Sequence, residues 1–511
     1  MALCDVIYTL EIDYGAGFID KSDDLSLARI RRSFSGPLAR VATEGRASFT
    51  MENSSQAYSP PLVGALVPRL PVRFTMSYGG VPVVQFTGSL RNIVPTADTC
   101  TPRKLSVLEC VDDMELLDIY EGEMAIQTNT NAHTVIKAVV DSAYAPAGEN
   151  YEAGINPFPV AADRWSYQGI TINSGREGPT ETILASQKIL DACVSDWGKF
   201  FIAKNGDPTF FNRHHELLDA TTELTLNNTM HEMEYKKSVQ QIINSVEVTC
   251  YPRTIGTIPE VLGRLSQTNA PSINDTETQI YVLQFRDPVD QTISLGGLTP
   301  IDPSTFPGVD IIATDDPAGV GTIVTVNIAV VMTDYGDRVE LALTNNSGAI
   351  AYIQKLQVRG FAIRSREPVT VVSRDAVSIA AYGLRKLSLN APLMSNPADA
   401  QGLADYLIDY YKDPMDEIPS VTFSAHTNDT LMEAARDIEL VDQVSITEDQ
   451  TGVTGQFFVY SIQHTIRDNY NHDVTLGLLK AYELGGDVAL WGANPADPDA
   501  AHWDGPEVWV Y

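Results

Sequence analysis

Residues 71–90 carry the pattern that most restricts the fold. In PVRFTMSY, Val72, Phe74, Met76 and Tyr78 alternate with Arg73, Thr75 and Ser77. Gly79-Gly80 follows, and Val84, Phe86 and Leu90 then sit in phase in VVQFTGSL. A period of two puts one residue set on one face of a strand. Two such strands across a two-glycine turn make a hairpin. DVIYTLEID near the N-terminus alternates in the same way through Val6, Tyr8, Leu10 and Ile12. Several strands in succession over residues 1–120 predict a small barrel or sandwich.

The pattern then changes. HTVIKAVVDSAY spaces Val135, Ala138, Val139 and Ala143 as a helix does. A second helix is expected to open at Pro179-Thr180, to carry Ile183, Leu190 and Val194 on one face, and to stop at Trp197-Gly198 with the glycine as left-handed cap. KFFIAKNGDPTFFNR reads as two aromatic strands about the turn Asn205-Gly206-Asp207-Pro208. Residues 121–258 are thus a mixed α/β module. Residues 259–365 turn to Thr, Asp, Gly and Val without a helical period, which predicts an inserted β-sandwich. Helix returns at Asn396-Pro397, a good cap followed by proline at the first helical position. Its stripe of Ala400, Leu403, Ala404, Leu407, Tyr410 and Tyr411 ends at Asp413-Pro414. QVSIT, QFFVYSIQH and HDVTLGLL close residues 366–481 as a second barrel-like run, and 482–511 form a Gly/Pro/Asp-rich tail with Trp491, Trp503 and Trp509. The fold class is β-rich α+β: two related β-barrels joined by α/β modules, with the sandwich inserted between them.

Charge narrows the function classes. The 511 residues hold 66 acidic against 35 basic side chains, a net of −31, so the clustered cations that grip nucleic acid are missing. Five cysteines, Cys4, Cys100, Cys110, Cys193 and Cys250, lie at wide, unpatterned spacings with no CxxC, which fits reduced thiols and neither a zinc site nor a disulfide framework. The N-terminus lacks the plan of a signal peptide, and no run of about 18 apolar residues could span a bilayer. A soluble chain made in a cytoplasm, with no stable membrane anchor, is expected.

No constellation points to catalysis. His214-His215-Glu216 is the nearest to a metal motif, but zincin ligands stand four residues apart on one helix face, and adjacent histidines diverge. His231-Glu232 lacks the second histidine. Neither GxSxG nor a phosphate-binding GxxxxGK[ST] loop occurs. No catalytic residue, metal ligand or cofactor is assigned. The competing reading is a cell-wall glycosidase or peptidase, for which 259–365 offers only carboxylates such as Glu260, Asp275, Asp310 and Asp334. A carbohydrate-binding module there would need Tyr281, Phe285, Phe306, Tyr335, Tyr352 and Phe361 to line a groove.

GRASFTMENSSQAYSPP followed by LVPRLPVRFTMSYGGVPVVQFTGSL resembles the N-terminal domain of phage minor tail and baseplate-hub proteins. The matches are Phe49, Asn53, Tyr58, Ser59, Pro60, Pro71, Val72, Arg73, Phe86, Thr87 and Gly88. Further similar stretches follow in order: Phe210, Phe211, Asn212 and Arg213; Ile242 to Arg253; Asp375, Ser378, Tyr382, Gly383 and Arg385 with the helix ending in YYKDP; and the strand set QFFVYSIQHTIRDNYNHDVTLGL. The resemblance spans most of the chain outside 259–365 and the last 30 residues.

It implies a virion structural protein and no enzyme: the central hub at the distal end of a phage tail, built from two tail-tube-like barrels. A homotrimer would present six similar faces to a sixfold tube, adapt it to a threefold tip and form part of the DNA exit conduit. Implied partners are the distal tail protein or tail-tube ring, the tape-measure protein, and tail fibre or central spike proteins, with no sequence-specific nucleic-acid binding. Trp491, Trp503, Trp509 and Tyr511 are expected to dock the tail into a neighbouring protein. Arg31, Arg32 and Arg40 are expected at subunit or tube contacts, leaving the lumen acidic or neutral.

Overall fold

The computed structural model describes the chain except residues 1–5, 97–103, 122–130, 153–183, 214, 219–220, 266–268, 468–470, 482–487, 491–507 and 511. The N-terminal strands are β1 (Ile7–Asp13), β2 (Phe18–Asp20), β3 (Leu25–Ser33), β4 (Arg46–Glu52), β5 (Pro71–Tyr78), β6 (Val81–Pro95) and β7 (Leu105–Val111), and α1 (Met114–Ile119) follows. The expected hairpin is there: β5 and β6 pair antiparallel from Tyr78↔Val81, with Gly79 and Gly80 at φ 60° and 79°. Those angles suit glycine and are costly for other residues. Val72, Phe74 and Met76 all point into the core, as do Tyr8, Leu10 and Ile12 of β1. The alternation breaks once. Register slips between Phe74 and Thr75, and the bulge turns Gln85 inward, where its Nε2 donates to the Arg436 carbonyl at 2.7 Å.

The middle of the chain comprises α2 (Ala132–Ala143), β8 (Asn150–Tyr151), α3 (Ala185–Asp196), β9 (Lys199–Ile202), β10 (Pro208–Phe211), α4 (His215–Leu218), β11 (Thr222–Asn227), β12 (Glu232–Lys237) and β13 (Ser245–Cys250). Helix α2 buries Val135 and Val139, as its spacing predicts. The start expected at Pro179-Thr180 and the residue Ile183 lie outside the described residues. The end of α3 corrects the sequence reading, because Trp197 takes the left-handed position (φ 62°) and not Gly198. Gly198 serves a different need: a Cβ there would lie 2.5 Å from the Phe210 ring. Arg40 holds Trp197 in place, its guanidinium 4.2 Å from the ring and its Nη1 donating to the Trp197 carbonyl at 3.3 Å.

Strands β14 (Arg253–Ile255), β15 (Glu260–Arg264), β16 (Ser272–Ile273), β17 (Thr278–Gln284), β18 (Gly296–Ile301), β19 (Ile311–Thr314), β20 (Ile328–Asp334), β21 (Arg338–Asn345) and β22 (Ala351–Ser365) form two sheets. One gathers β14, β15, β16, β18 and β19 around the long β22, and the other runs β17-β21-β20. Leu262, Phe285, Leu341, Ile353 and Val358 belong to a core that lies wholly within residues 262–362.

Strand β23 (Val369–Arg374), α5 (Ala376–Tyr382), β24 (Lys386–Ala391), α6 (Pro397–Tyr411), β25 (Asp416–Ser424), α7 (Asp429–Asp437), β26 (Gln443–Glu448), β27 (Val453–Arg467) and β28 (Asn471–Lys480) follow, then β29 (Val488–Leu490) and β30 (Val508–Val510). Asn396 caps α6 by accepting from the Ala398 N–H at 3.0 Å, and Ala400, Leu403, Ala404, Leu407 and Tyr411 are buried. α6 packs on β23-β13-β24 to build a second core with α2 and α3.

The N- and C-terminal strands do not form separate closed barrels. They join into one 13-stranded sheet, β12-β25-β28-β27-β3-β4-β7-β6-β5-β1-β2, with β26 on β27 and β11 on β26. No sheet among the described residues closes into a barrel. One core serves both ends of the chain, so Phe49, Phe74 and Leu10 lie in the same apolar cluster as Phe423, Val444 and Leu476.

Candidate functional site: the seam between the two β regions

The seam is made by one strand. The first half of β27 pairs with β26 from Val453↔Glu448 to Phe458↔Gln443. Its second half leaves β26 and pairs with β3 from Ser461↔Ser33 to Arg467↔Leu27. Strand β28 follows β27 along both halves, with a register shift between Val459 and Ser461. At that shift the Tyr460 carbonyl accepts from the Phe34 N–H at 2.8 Å, extending the junction by one bond. The bulge lets a single strand change neighbours without orphaning its backbone.

Polar side chains are buried behind this junction. Ala28, Ile30 and Arg32 share the inward face of β3, and Arg32 is only 3% exposed. Its Nη1 forms an ion pair with Glu439 Oε1, while Nε and Nη2 have no hydrogen-bond partner among the described residues. Glu439 Oε2 accepts from the Lys204 N–H at 3.0 Å. Lys204 Nζ donates to the carbonyls of Arg436, Asp437 and Ile438 at the end of α7. A cation at a helix C-terminus meets the negative end of the helix dipole. Burial pushes Lys204 down to about 8 and Asp442 up to about 7. Burial also opposes ionisation of Glu439, but Arg32 and Lys204 outweigh it and hold that carboxyl below its ordinary range.

A histidine chain crosses the same place. Tyr8 Oη and His472 Nδ1 share a hydrogen bond of 3.0 Å, and His472 Nε2 and His464 Nδ1 share one of 2.9 Å. The His472 N–H donates to His426 Nδ1 at 3.2 Å. Burial pushes His472 down to about 3, so both rings of the pair are neutral, and one proton lies between them. On the N-terminal side, Asp112 accepts from the Gly45 N–H at 2.8 Å and the Met114 N–H at 3.1 Å. Burial pushes it up to about 8. Together these contacts lock β1, β3, β27, β28 and α7 in one register. They can hold a joint; they offer no exposed nucleophile or paired acid and base.

The arginines expected at subunit or tube contacts divide. Arg31 is exposed. Arg32 and Arg40 are buried inside this chain, on Glu439 and Trp197, so neither can face a lumen or a neighbour. Sequence reading missed the seam, although Arg32 standing in phase with Ala28 and Ile30 was the available signal.

The other candidates disperse. His214 lies outside the described residues, and His215 stacks on Phe211 at 3.7 Å. Glu216 pairs with Lys199. No three His, Cys, Asp or Glu groups among the described residues are placed to hold a metal ion. In the 259–365 region, Glu260 pairs with Arg364, Asp310 with Arg359, and Asp275 and Asp334 accept from the Gly348 and Gly336 N–H groups. The four carboxylates thus serve four separate contacts. Of the six aromatics, Tyr281 and Phe285 are core, Phe306 and Tyr335 lie under Arg359 and Arg338, and Tyr352 and Phe361 are half-buried on β22. Trp491, Trp503 and Tyr511 lie outside the described residues. Trp509 sits on β30, in register with Ala489 of β29.

No family model matches the sequence, and no curated protein does. Solved structures align along most of it. The tail protein from Neisseria meningitidis aligns over 93% of this chain and 96% of its own at 9% identity and a TM-score of 0.49. A 43 kDa prophage tail protein from Shewanella oneidensis covers 93% and 98% at 10% identity and 0.45. A prophage tail protein from Listeria monocytogenes covers 93% and 95% at 9% identity and 0.41. All three are tail proteins.

Proposed function

We propose that this chain is a structural protein of a phage tail, the central hub at its distal end, acting by assembly and not by catalysis. The observation that carries the reading is the seam. Two β regions from opposite ends of the chain are fixed side by side in one sheet, so each copy offers two β units in a set geometry. Three copies in a ring would offer six, which matches a sixfold tube to a threefold tip. The ordered motifs from Phe49 to Gly88 and from Asp375 to Arg385 support it, as they resemble those of baseplate hubs. In this reading each β region stands for one tail-tube-like unit, and the trimer meets a tube ring on one side and fibre or spike proteins on the other. The net charge of −31 suits a conduit that must pass DNA without holding it. The tail beyond Glu483 is read as an anchor for a neighbouring tail protein, through Trp503 and Trp509.

Light scattering on the purified chain, with a low-resolution image, tests the reading. A threefold ring is expected, with heterologous interfaces above about 1,000 Å². A dimer, or a sixfold ring of whole chains, sinks it.

A further inference from the structure

The β14–β22 region carries a surface cleft apart from the seam. A cleft of about 510 Å³ opens beside the ends of β15 and β17, lined by Arg264, Leu265, Val282, Gln284, Arg286 and Gln291. That volume lies within the range of small-ligand sites. Among the described residues no carboxylate lines it, in a chain where acidic residues outnumber basic ones 66 to 35. The Arg286 N–H donates to the Leu262 carbonyl at 2.7 Å, which sets its backbone two residues from Arg264 along β15. Arg286 Nη1 is steadied by Ser294 Oγ at 2.8 Å. Arg264 is exposed and makes no ion pair or hydrogen bond with its side chain among the described residues.

We infer that this cleft binds an oxyanion, phosphate or carboxylate, carried on a polyhydroxylated chain: an acidic saccharide. Guanidinium forks match the two oxygens of such a group. The Gln284 and Gln291 amides can both donate and accept, as sugar hydroxyls require. Val282 and Leu265 offer apolar surface to a sugar's C–H face. Among the described residues no aromatic side chain lines the cleft, so charge rather than ring stacking anchors the ligand. The inference does not rest on the tail-hub reading and stands or falls separately.

Calorimetric titration of the full chain with glucose 6-phosphate, glucuronate, glucose and inorganic phosphate tests it. At least one acidic sugar is expected to bind in the millimolar range, at least tenfold more tightly than glucose. The two acidic sugars distinguish a phosphate from a carboxylate preference. Arg264→Gln should weaken that binding at least tenfold while leaving the melting temperature unchanged, because the exposed Arg264 side chain makes no ion pair or hydrogen bond among the described residues. Equal binding of glucose, or undiminished binding by the folded Arg264→Gln chain, overturns the inference. Inorganic phosphate binding as tightly as the sugar phosphate also overturns it, since the saccharide would then contribute nothing.

Discussion

Arg32 shows how much one side chain can hold. It is buried with a single ionic partner among the described residues, and Glu439 is that partner. Replacing Glu439 by Gln leaves an unmatched guanidinium in the interior, which costs about 3 kcal/mol or more. The expected outcome is an unfolding free energy lowered by that amount in denaturant titration, and an unchanged midpoint counts against the seam as a structural joint. His472 makes a prediction about pH. Its folded pKa lies below its unfolded value, so the unfolded chain takes up the proton first. Its stabilising contribution is whole above about pH 6.5 and falls by about 1.4 kcal/mol per unit as pH drops toward 3. Asp112 and Asp442, pushed upward by burial, act in the opposite sense, so the total stability is not diagnostic. The difference between wild type and His472→Gln is: it should shrink from pH 7 to pH 5, because only the wild type bears the proton cost. A constant difference refutes the assignment.

At the scale of elements, α5 is built unlike its neighbours. Its buried residue is Ser378, while Val377 is 80% exposed. Polar ties replace apolar packing. Asn244 Nδ2 donates to Ser378 Oγ at 3.2 Å and to the Gly383 carbonyl at 2.8 Å, and its Oδ1 accepts from the Arg385 N–H at 2.7 Å. Asp375 caps the helix by accepting from the Ser378 N–H at 2.7 Å. Asn244→Ala removes three bonds at one stroke, each worth about 1 kcal/mol. Hydrogen exchange over residues 376–385 should then rise at least tenfold, while β27 and β3 stay protected. If α5 keeps its protection, something other than Asn244 holds it.

For the whole molecule, the separation of cores matters most. The cluster within residues 262–362 shares no member with the other two, and its stem is the short pairing of β14 with the end of β22. The Arg366 N–H reaches the Pro252 carbonyl at 2.9 Å, so the two ends of the stem are adjacent. Replacing residues 254–365 by a short Gly/Ser linker should leave the remaining chain folded, since loop closure over so short a gap costs little. Circular dichroism and the melting transition of the shortened chain check this. Loss of the cooperative transition would show that the region supports the seam.

Local order was readable from neighbouring residues alone. Gly79-Gly80 and the alternation of Val72, Phe74 and Met76 specify a hairpin through sterics and period alone, and Asn396-Pro397 specifies a helix start through a cap and a fixed φ. Such signals act over a few neighbouring residues. What they cannot specify is which strand lies beside which. Ser33 and Ser461 are paired across more than four hundred residues, and nothing local to either names the other. The same holds for Arg32 with Glu439 and for Tyr8 with His472. The glycine at 198 was misassigned for a related reason, because its role is set by Phe210 packing against it and not by the helix it follows. Composition and period therefore determined the β-rich class and elements such as the β5–β6 hairpin, α2 and α6. Only the tertiary structure decided that the two ends of the chain merge into one sheet, because edge pairing and burial of charge are long-range choices made by the free energy of the whole core.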